Sequence, residues 1–106
     1  MPMIFVYITA GSLEEARLIG RALVEERLAA CVNIVDGMSS IYRWQGAIEE
    51  GRETILIAKT RQDLFNELAE RVKTIHSYTS PCIVEIPLGR VDGGYLDWLS
   101  TETRQA

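Results

Sequence analysis

The chain has little of what small proteins use for covalent bracing or metal chemistry: its 106 residues include only two cysteines and one histidine. Two cysteines are too few for a disulfide framework, which favours a reducing, cytoplasmic compartment. The apolar N-terminal stretch is far shorter than the roughly 20 residues a membrane span needs, and no basic residue precedes it. We therefore expect neither a targeting segment nor a membrane partner.

Positive charge and catalytic motifs are also scarce. The net charge is −4 and the basic residues are scattered, whereas non-specific nucleic-acid affinity comes from neutralised phosphates. The sequence has no glycine-rich phosphate loop, no GxSxG motif and no paired catalytic carboxylates. These features predict a protein that is not an enzyme and has no nucleic-acid partner.

What the sequence does contain is a clear alternation of extended and helical patterns within one domain, residues 1–106. The extended segments are Ile4–Ile8, Ala30–Val35 continuing through Ile41–Trp44, Ala47–Lys59, and Cys82–Leu88. The helical segments run from a capping box at Ser12–Glu15 to near Leu28, from a similar pattern at Thr60–Asp63 to Ile75, and over a short tail at Tyr95–Leu99. The order βαββαβ predicts an α+β, ferredoxin-like fold: an antiparallel sheet with two helices on one face and a short C-terminal helix.

In that plan the strand order is 4-1-3-2, so the second and fourth strands are the edges. Cys31 and Cys82 then lie on opposite edges, roughly 14 Å apart, which excludes a disulfide within one chain. Gln45-Gly46 is typical of a tight turn between the second and third strands. Gly51 indicates either a bulge in the third strand or the turn itself.

Two features favour self-association. The second and third strands form a hairpin of about 12 residues an arm, against a usual strand of about five or six, and it carries Tyr42 and Trp44. The fourth strand is apolar at Ile83, Val84 and Ile86 although it is predicted to be an edge. An uncovered apolar edge promotes aggregation, so we expect other subunits to cover these residues.

The segment around the histidine holds most of the candidate ligands. His76 follows a helix, where an imidazolium can interact with the helix carbonyls, or it can bind a metal ion or a small anion. Lys59 ends a strand beside a predicted helix N-terminus, a place where anions bind. Tyr42 and Trp44 either pack in an interface or line a ligand cleft.

Several motifs together resemble the CutA family of divalent-cation tolerance proteins. They are ERLAACVNI at 26–34, SIYRWQG at 40–46, LIAKT at 56–60, HSY at 76–78 with Pro81, and YLDWL at 95–99. The resemblance spans the whole chain in order. It implies a homotrimer joined through long hairpins and edge strands, similar to nitrogen-regulatory signalling trimers, with a role in tolerance of divalent metal ions such as copper.

The resemblance also implies metal ligands: a cysteine in the first strand and two adjacent histidines after the second helix. In this sequence those positions are Ile8 and Ile75-His76, so one ligand of three is retained. Cys82 offers a replacement, since thiolate suits Cu(I). We predict weak binding of copper or another divalent cation at His76 and Cys82, and the sequence establishes no resident cofactor.

A second function stays open. The chain could be a regulatory module that binds a metabolite in clefts between subunits, lined by Lys59, Tyr42, Tyr78 and Trp44.

Overall fold

The computed structural model describes residues 2–106 of the chain. Four strands, three α-helices and one 3-10 turn follow one another. They are β1 (Met3–Ala10), α1 (Leu13–Glu25), β2 (Cys31–Trp44), β3 (Ala47–Arg61), the turn Gln62–Leu64, α2 (Phe65–Ile75), β4 (Ile83–Pro87) and α3 (Gly93–Glu102). The strands form one antiparallel sheet in the order β2-β3-β1-β4, so the predicted fold class and both edge strands are confirmed.

One face of the sheet packs against α1 and α2 and forms the core. The inward row of β1 is Ile4, Val6, Ile8 and Ala10, all buried. Its partners in the core are Ala16, Ile19, Leu23, Leu28, Ala29, Leu56, Ala58, Leu64, Leu68 and Val72. Burying one large aliphatic side chain contributes about 1.5–3 kcal/mol relative to leaving it exposed. The alternating pattern of β1 and the apolar stripes of the helices therefore account for the two-layer architecture.

Helix α1 begins as predicted but ends earlier than Leu28. The Ser12 hydroxyl accepts a hydrogen bond from the Glu15 backbone N–H (3.0 Å). At the other end Arg27 has φ +59°, and the Leu28 N–H donates to the Leu23 carbonyl (2.9 Å), which closes the helix. Leu28 matched the helical stripe because its side chain is buried, not because its backbone is helical.

The predicted cap at Thr60 is wrong. Thr60 is the penultimate residue of β3, and its hydroxyl donates to the Leu28 carbonyl (2.6 Å) inside the core. The chain then makes the 3-10 turn before α2, and Asp63 accepts a hydrogen bond from Arg61 Nε (3.0 Å). Helix α2 has 11 residues in consequence, not the predicted 15 or so.

Smaller differences occur near the C-terminus. Strand β4 begins at Ile83, one residue after Cys82, and ends at Pro87. Helix α3 has ten residues and extends beyond the predicted Tyr95–Leu99 segment. Asp92 caps it by accepting from the backbone N–H groups of Gly94 and Tyr95.

The β2-β3 hairpin extends well beyond β1. Its turn is at Gln45-Gly46, where both residues have positive φ (49° and 83°), as a two-residue hairpin turn requires. Gly51 is neither a bulge nor the turn, because it pairs in register with Ser40. The bulge lies in β2 between Val35 and Met38, where Gly37 has φ +80°.

Candidate functional site

The loop after α2 is anchored by His76. Its side chain is fully buried, and Nε2 lies 2.6 Å from the Thr9 carbonyl oxygen of β1. The Tyr78 backbone N–H donates to Nδ1 (3.1 Å). A backbone N–H needs an acceptor, so Nδ1 accepts this hydrogen bond and Nε2 carries the proton that it donates to the Thr9 carbonyl. His76 thus ties the loop to β1 instead of interacting with the end of the helix.

Glu15 holds the same loop from the other side. Its carboxylate accepts from the backbone N–H groups of Gly11 (2.9 Å) and Ser77 (2.7 Å) and lies 4.0 Å from His76 Nδ1. Burial alone would raise the pKa of Glu15, but the hydrogen bonds from Ser77 and Gly11 outweigh burial and lower it. Glu15 and His76 therefore fix the start of the loop.

The rest of the loop closes one side of a cleft of about 390 Å³. Its lining comes from four parts of the chain: β1, β2, β3 and the loop itself. The lining residues are Thr9, Tyr42, Trp44, Glu53, Tyr78, Ser80 and Cys82. This volume is within the usual range for small-molecule pockets, about 300–1,000 Å³.

The bulge in β2 explains why the hairpin aromatics reach this cleft. Before it, Val35 pairs with Ile55; after it, Met38 pairs with Glu53, so β2 has one residue more than β3 across this interval. Side chains alternate between the faces of a strand, so the extra residue moves the even-numbered positions to the helix-free face. Tyr42 and Trp44 consequently lie on the face that carries Glu53.

Glu53 dominates the electrostatics of the cleft. Tyr78 Oη donates to Glu53 Oε2 (2.9 Å). Burial, followed by this hydrogen bond and the negative charge of Glu53, raises the pKa of Tyr78 to about 12. Burial and then Glu53 also raise the pKa of the Cys82 thiol. Both groups are therefore protonated near neutral pH.

The structure brings together four of the six predicted ligand residues; His76 packs against the Tyr78 ring without lining the cleft. Tyr42, Trp44, Tyr78 and Cys82 line the same cleft. Lys59 lies elsewhere: its ammonium is 5.5 Å from the Phe5 ring centroid and 5.7 Å from that of Tyr95. It is six residues from Glu53 along β3, which corresponds to about 20 Å in an extended strand.

Glu53, Thr9 and Ser80 were missed by sequence reasoning. Glu53 did leave a signal: it is an acidic residue that stands two positions before Ile55 and Ile57, the apolar residues on the same face of β3. Thr9 and Ser80 left none, since their position in the cleft depends on the fold.

The candidate metal ligands do not form a chelating set within one chain. Both ring nitrogens of His76 are engaged in hydrogen bonds, so the imidazole has no free lone pair for a metal ion in this arrangement. Ile8 is buried in the core and Ile75 packs against it. Across residues 2–106, no group of three or more His, Cys, Asp or Glu side chains is arranged to hold a metal ion. The prediction of weak binding at His76 and Cys82 stays a prediction.

The topology defines the class of protein: a ferredoxin-like α+β chain whose central hairpin is extended beyond the sheet. The family model of the CutA1 divalent ion tolerance protein matches residues 4–102. The chain belongs to this family.

Individual relatives agree. A divalent-cation tolerance protein CutA of Thermus thermophilus is 55% identical over 98 residues, 92% of this chain and 95% of the relative. The solved Cut A1 structure from that organism has a TM-score of 0.93 at 53% identity and covers 96% of this chain and 99% of the other. The crystal structure of CutA1 from Oryza sativa has a TM-score of 0.97 at 39% identity, covering 100% and 97%.

None of the helices found in residues 2–106 is long and apolar enough to span a membrane.

Proposed function

We propose that this member of the divalent-cation tolerance family acts as a non-enzymatic homotrimer that binds copper only weakly. The observation that carries the proposal is the apolar character of the sheet face opposite α1 and α2. Along β1, β3 and β4 this face presents Phe5, Tyr7, Ile55, Ile57, Val84 and Ile86.

Several of these side chains are exposed in the isolated chain. Val84 is 49% and Ile86 40% accessible, and both lie on the edge strand β4. On the hairpin, Tyr42 is 47% and Trp44 50% accessible. Apolar patches and unpaired strand edges of this kind mark subunit interfaces, which supports association through the sheet face, β4 and the hairpin.

Sedimentation equilibrium tests the assembly. We expect three times the 11.9 kDa mass of the chain, and we expect Val84→Glu to reduce the mass because it places a charge in the interface. Leu18→Glu is the matched control, since Leu18 is exposed on the outer side of α1. A wild-type mass near that of one chain, or equal effects of the two substitutions, would contradict the trimer.

Weak metal binding is tested by competition titration under reducing conditions. We expect dissociation constants in the micromolar range or weaker, because stable transition-metal sites use three or four protein ligands. His76→Ala and Cys82→Ser are expected to weaken even this binding. Nanomolar Zn(II) binding that neither substitution changes would place the site elsewhere.

We also propose a reducing, cytoplasmic location. Cys31 and Cys82 are both free thiols, and they lie at opposite sides of the sheet. Relatives differ in this respect: a plant relative is named chloroplastic, and a structure from Archaeoglobus fulgidus is named periplasmic. A disulfide in protein taken from its native cells would contradict the proposal.

A second candidate function is a regulatory module with small-molecule clefts between subunits. The clustering of Tyr42, Trp44 and Tyr78 around one cleft favours it. Native mass spectrometry of the purified protein tests this candidate: a bound metabolite retained by wild type and by Trp98→Ala, but lost from Trp44→Ala, would support it. Wild-type protein that retains no metabolite and binds no added small molecule would contradict it.

A further inference from the structure

The cleft beside the loop has a composition that selects one chemical class of ligand. Three of its seven lining residues are aromatic, Tyr42, Trp44 and Tyr78, and its single ionised group is Glu53. No lysine, arginine or histidine is among the lining residues that the described chain provides. We infer that this cleft binds an organic cation, an alkylated ammonium group, with the aromatic rings around the cation and Glu53 as its counter-ion.

The charge argument begins with Glu53. Of the side-chain hydrogen bonds within residues 2–106, the only one that its carboxylate accepts comes from Tyr78 Oη and ends on Oε2, and no basic side chain among these residues forms a salt bridge with Glu53. The neighbouring Tyr78 phenol and Cys82 thiol stay protonated at neutral pH because burial and Glu53 raise both pKa values. The cleft therefore carries one negative charge that its own lining does not neutralise, and an anion would be repelled.

The aromatic lining explains why the cation is alkylated. Aromatic faces attract cations through their quadrupole, most strongly when the cation gives up little hydration. The other polar groups of the lining are all neutral: the hydroxyls of Thr9, Ser80, Tyr42 and Tyr78 and the Cys82 thiol. A primary ammonium ion is strongly hydrated, so it loses more water on entering such a site and gains less from the aromatic faces. An alkylated ammonium has fewer donors to satisfy, and its methyl or methylene groups pack on Tyr42 and Trp44.

The aromatic positions are built into the fold. Tyr42 and Trp44 pair with Glu49 and Ala47 in the hairpin, on the face that the bulge selects. Gly51 leaves room beside Tyr42: a Cβ at this position would have the Tyr42 hydroxyl oxygen as its nearest neighbour, at 3.9 Å. The Tyr78 ring packs against that of His76, with centroids 4.6 Å apart. The fold thus sets the strand positions of Tyr42 and Trp44 and supports the Tyr78 ring.

This inference rests on the second proposed function, a small-molecule cleft, and it names the ligand class. Isothermal titration of the full chain in its native assembly tests it with choline, with 3,3-dimethylbutanol as the neutral isostere, and with 3,3-dimethylbutyrate as the anion. We expect choline to bind at least tenfold more tightly than either of the other two.

Variants assign the effect to the cleft. Glu53→Gln keeps an acceptor for Tyr78 but removes the charge, and we expect it to weaken choline binding at least tenfold. Trp44→Leu is expected to do the same. The controls are Glu50→Gln, on the opposite face of the same strand, and Trp98→Leu, an exposed tryptophan on α3; both should leave binding within twofold of wild type. Thermal melts identify any variant that fails to fold. If Trp44→Leu fails to fold, Tyr42→Leu takes its place as the variant that removes an aromatic ring from the cleft.

The negative outcomes separate the two ideas. If dimethylbutanol or dimethylbutyrate binds as tightly as choline, and Trp44→Leu abolishes that binding, the cation inference fails while the small-molecule cleft survives. If choline binding is unchanged in Glu53→Gln, the inference fails as well. If none of the probes binds and the purified protein carries no metabolite, both proposals fail.

Discussion

The two halves of the β2-β3 hairpin are stabilised in different ways. In the first half, residues 31–35 of β2 and 54–61 of β3 continue the sheet, and Leu56 and Ala58 are buried under the helices. In the second half, residues 38–44 and 47–53 pair only with each other, and Ile41, Trp44 and Ile48 are exposed. One strand pair therefore contains a half that the core holds in place and a half whose side chains are available for ligands and other subunits.

The largest expected effect contrasts the two halves directly. Leu56→Ala removes a fully buried side chain and should lower the free energy of unfolding by about 2–5 kcal/mol. Ile48→Ala removes a side chain that is 66% accessible, and it should change the free energy of unfolding by less than about 0.5 kcal/mol. Urea denaturation at one protein concentration measures both. Similar losses would show that the outer half is also held by burial.

The next effect concerns the bulge that joins the halves. Gly37→Ala puts a side chain at φ +80°, where its Cβ also lies 3.2 Å from Arg52 Nη2. We expect a loss of about 1–2 kcal/mol in the free energy of unfolding. Gly51→Ala is the control, because Gly51 has ordinary φ and the nearest atom to its Cβ is 3.9 Å away. Equal behaviour of the two variants would mean that the bulge tolerates another backbone conformation.

A third effect tests the loop that faces the outer half. The pKa of Glu15 is lowered in the folded state from 4.5, so its contribution is present above the unfolded pKa and is lost as pH falls through the folded value. Glu15→Gln should therefore cost about 1 kcal/mol at pH 7 and progressively less below about pH 4. Urea midpoints at pH 7 and pH 3 measure this difference. A cost for Glu15→Gln that stays constant between pH 7 and pH 3 would refute the assignment.

The smallest effect concerns the contact between loop and hairpin. Tyr78→Phe removes the hydrogen bond to Glu53 and should cost about 0.5 kcal/mol, because the pair is partly solvated. Ultraviolet titration gives a sharper measurement: one of the four tyrosines should ionise near pH 12, and this step should disappear in Tyr78→Phe. Its persistence in the variant would assign the high pKa to another tyrosine.

Periodicity was enough to predict most of the fold. The short apolar run of β1 and the helical stripes around Leu23 and Leu68 predicted the βαββαβ order, and the ferredoxin-like plan then predicted the edge strands and two helices on one face of the sheet. Turn chemistry also predicted Gln45-Gly46. Local patterns were misleading where tertiary contacts prevailed. Thr60 is a residue type typical of a helix N-cap, but its hydroxyl donates a hydrogen bond to the Leu28 carbonyl in the core.

The candidate site was predicted only in part. Tyr42, Trp44 and Tyr78 were identified as unusual aromatics, but nothing local in the sequence shows on which face of the hairpin a side chain lies. That depends on the extra residue in β2, whereas the sequence pattern indicated a bulge only at Gly51, in β3. Lys59 was grouped with the aromatics because Glu53 was not recognised as part of the site. Lys59 pairs with Cys31 at the start of β2, whereas Tyr42 and Trp44 lie near the turn at its other end.

The extra residue in β2 has a consequence for comparing relatives. A homologue that lacks one residue between Val35 and Met38 loses the bulge, but Met38 can still pair with Glu53, so Tyr42 and Trp44 keep their face. A gap of one column between Met38 and Tyr42 instead leaves the bulge in place and turns Ile41 and Arg43 to that face. The position of a gap relative to the bulge should therefore be compared before percentage identity.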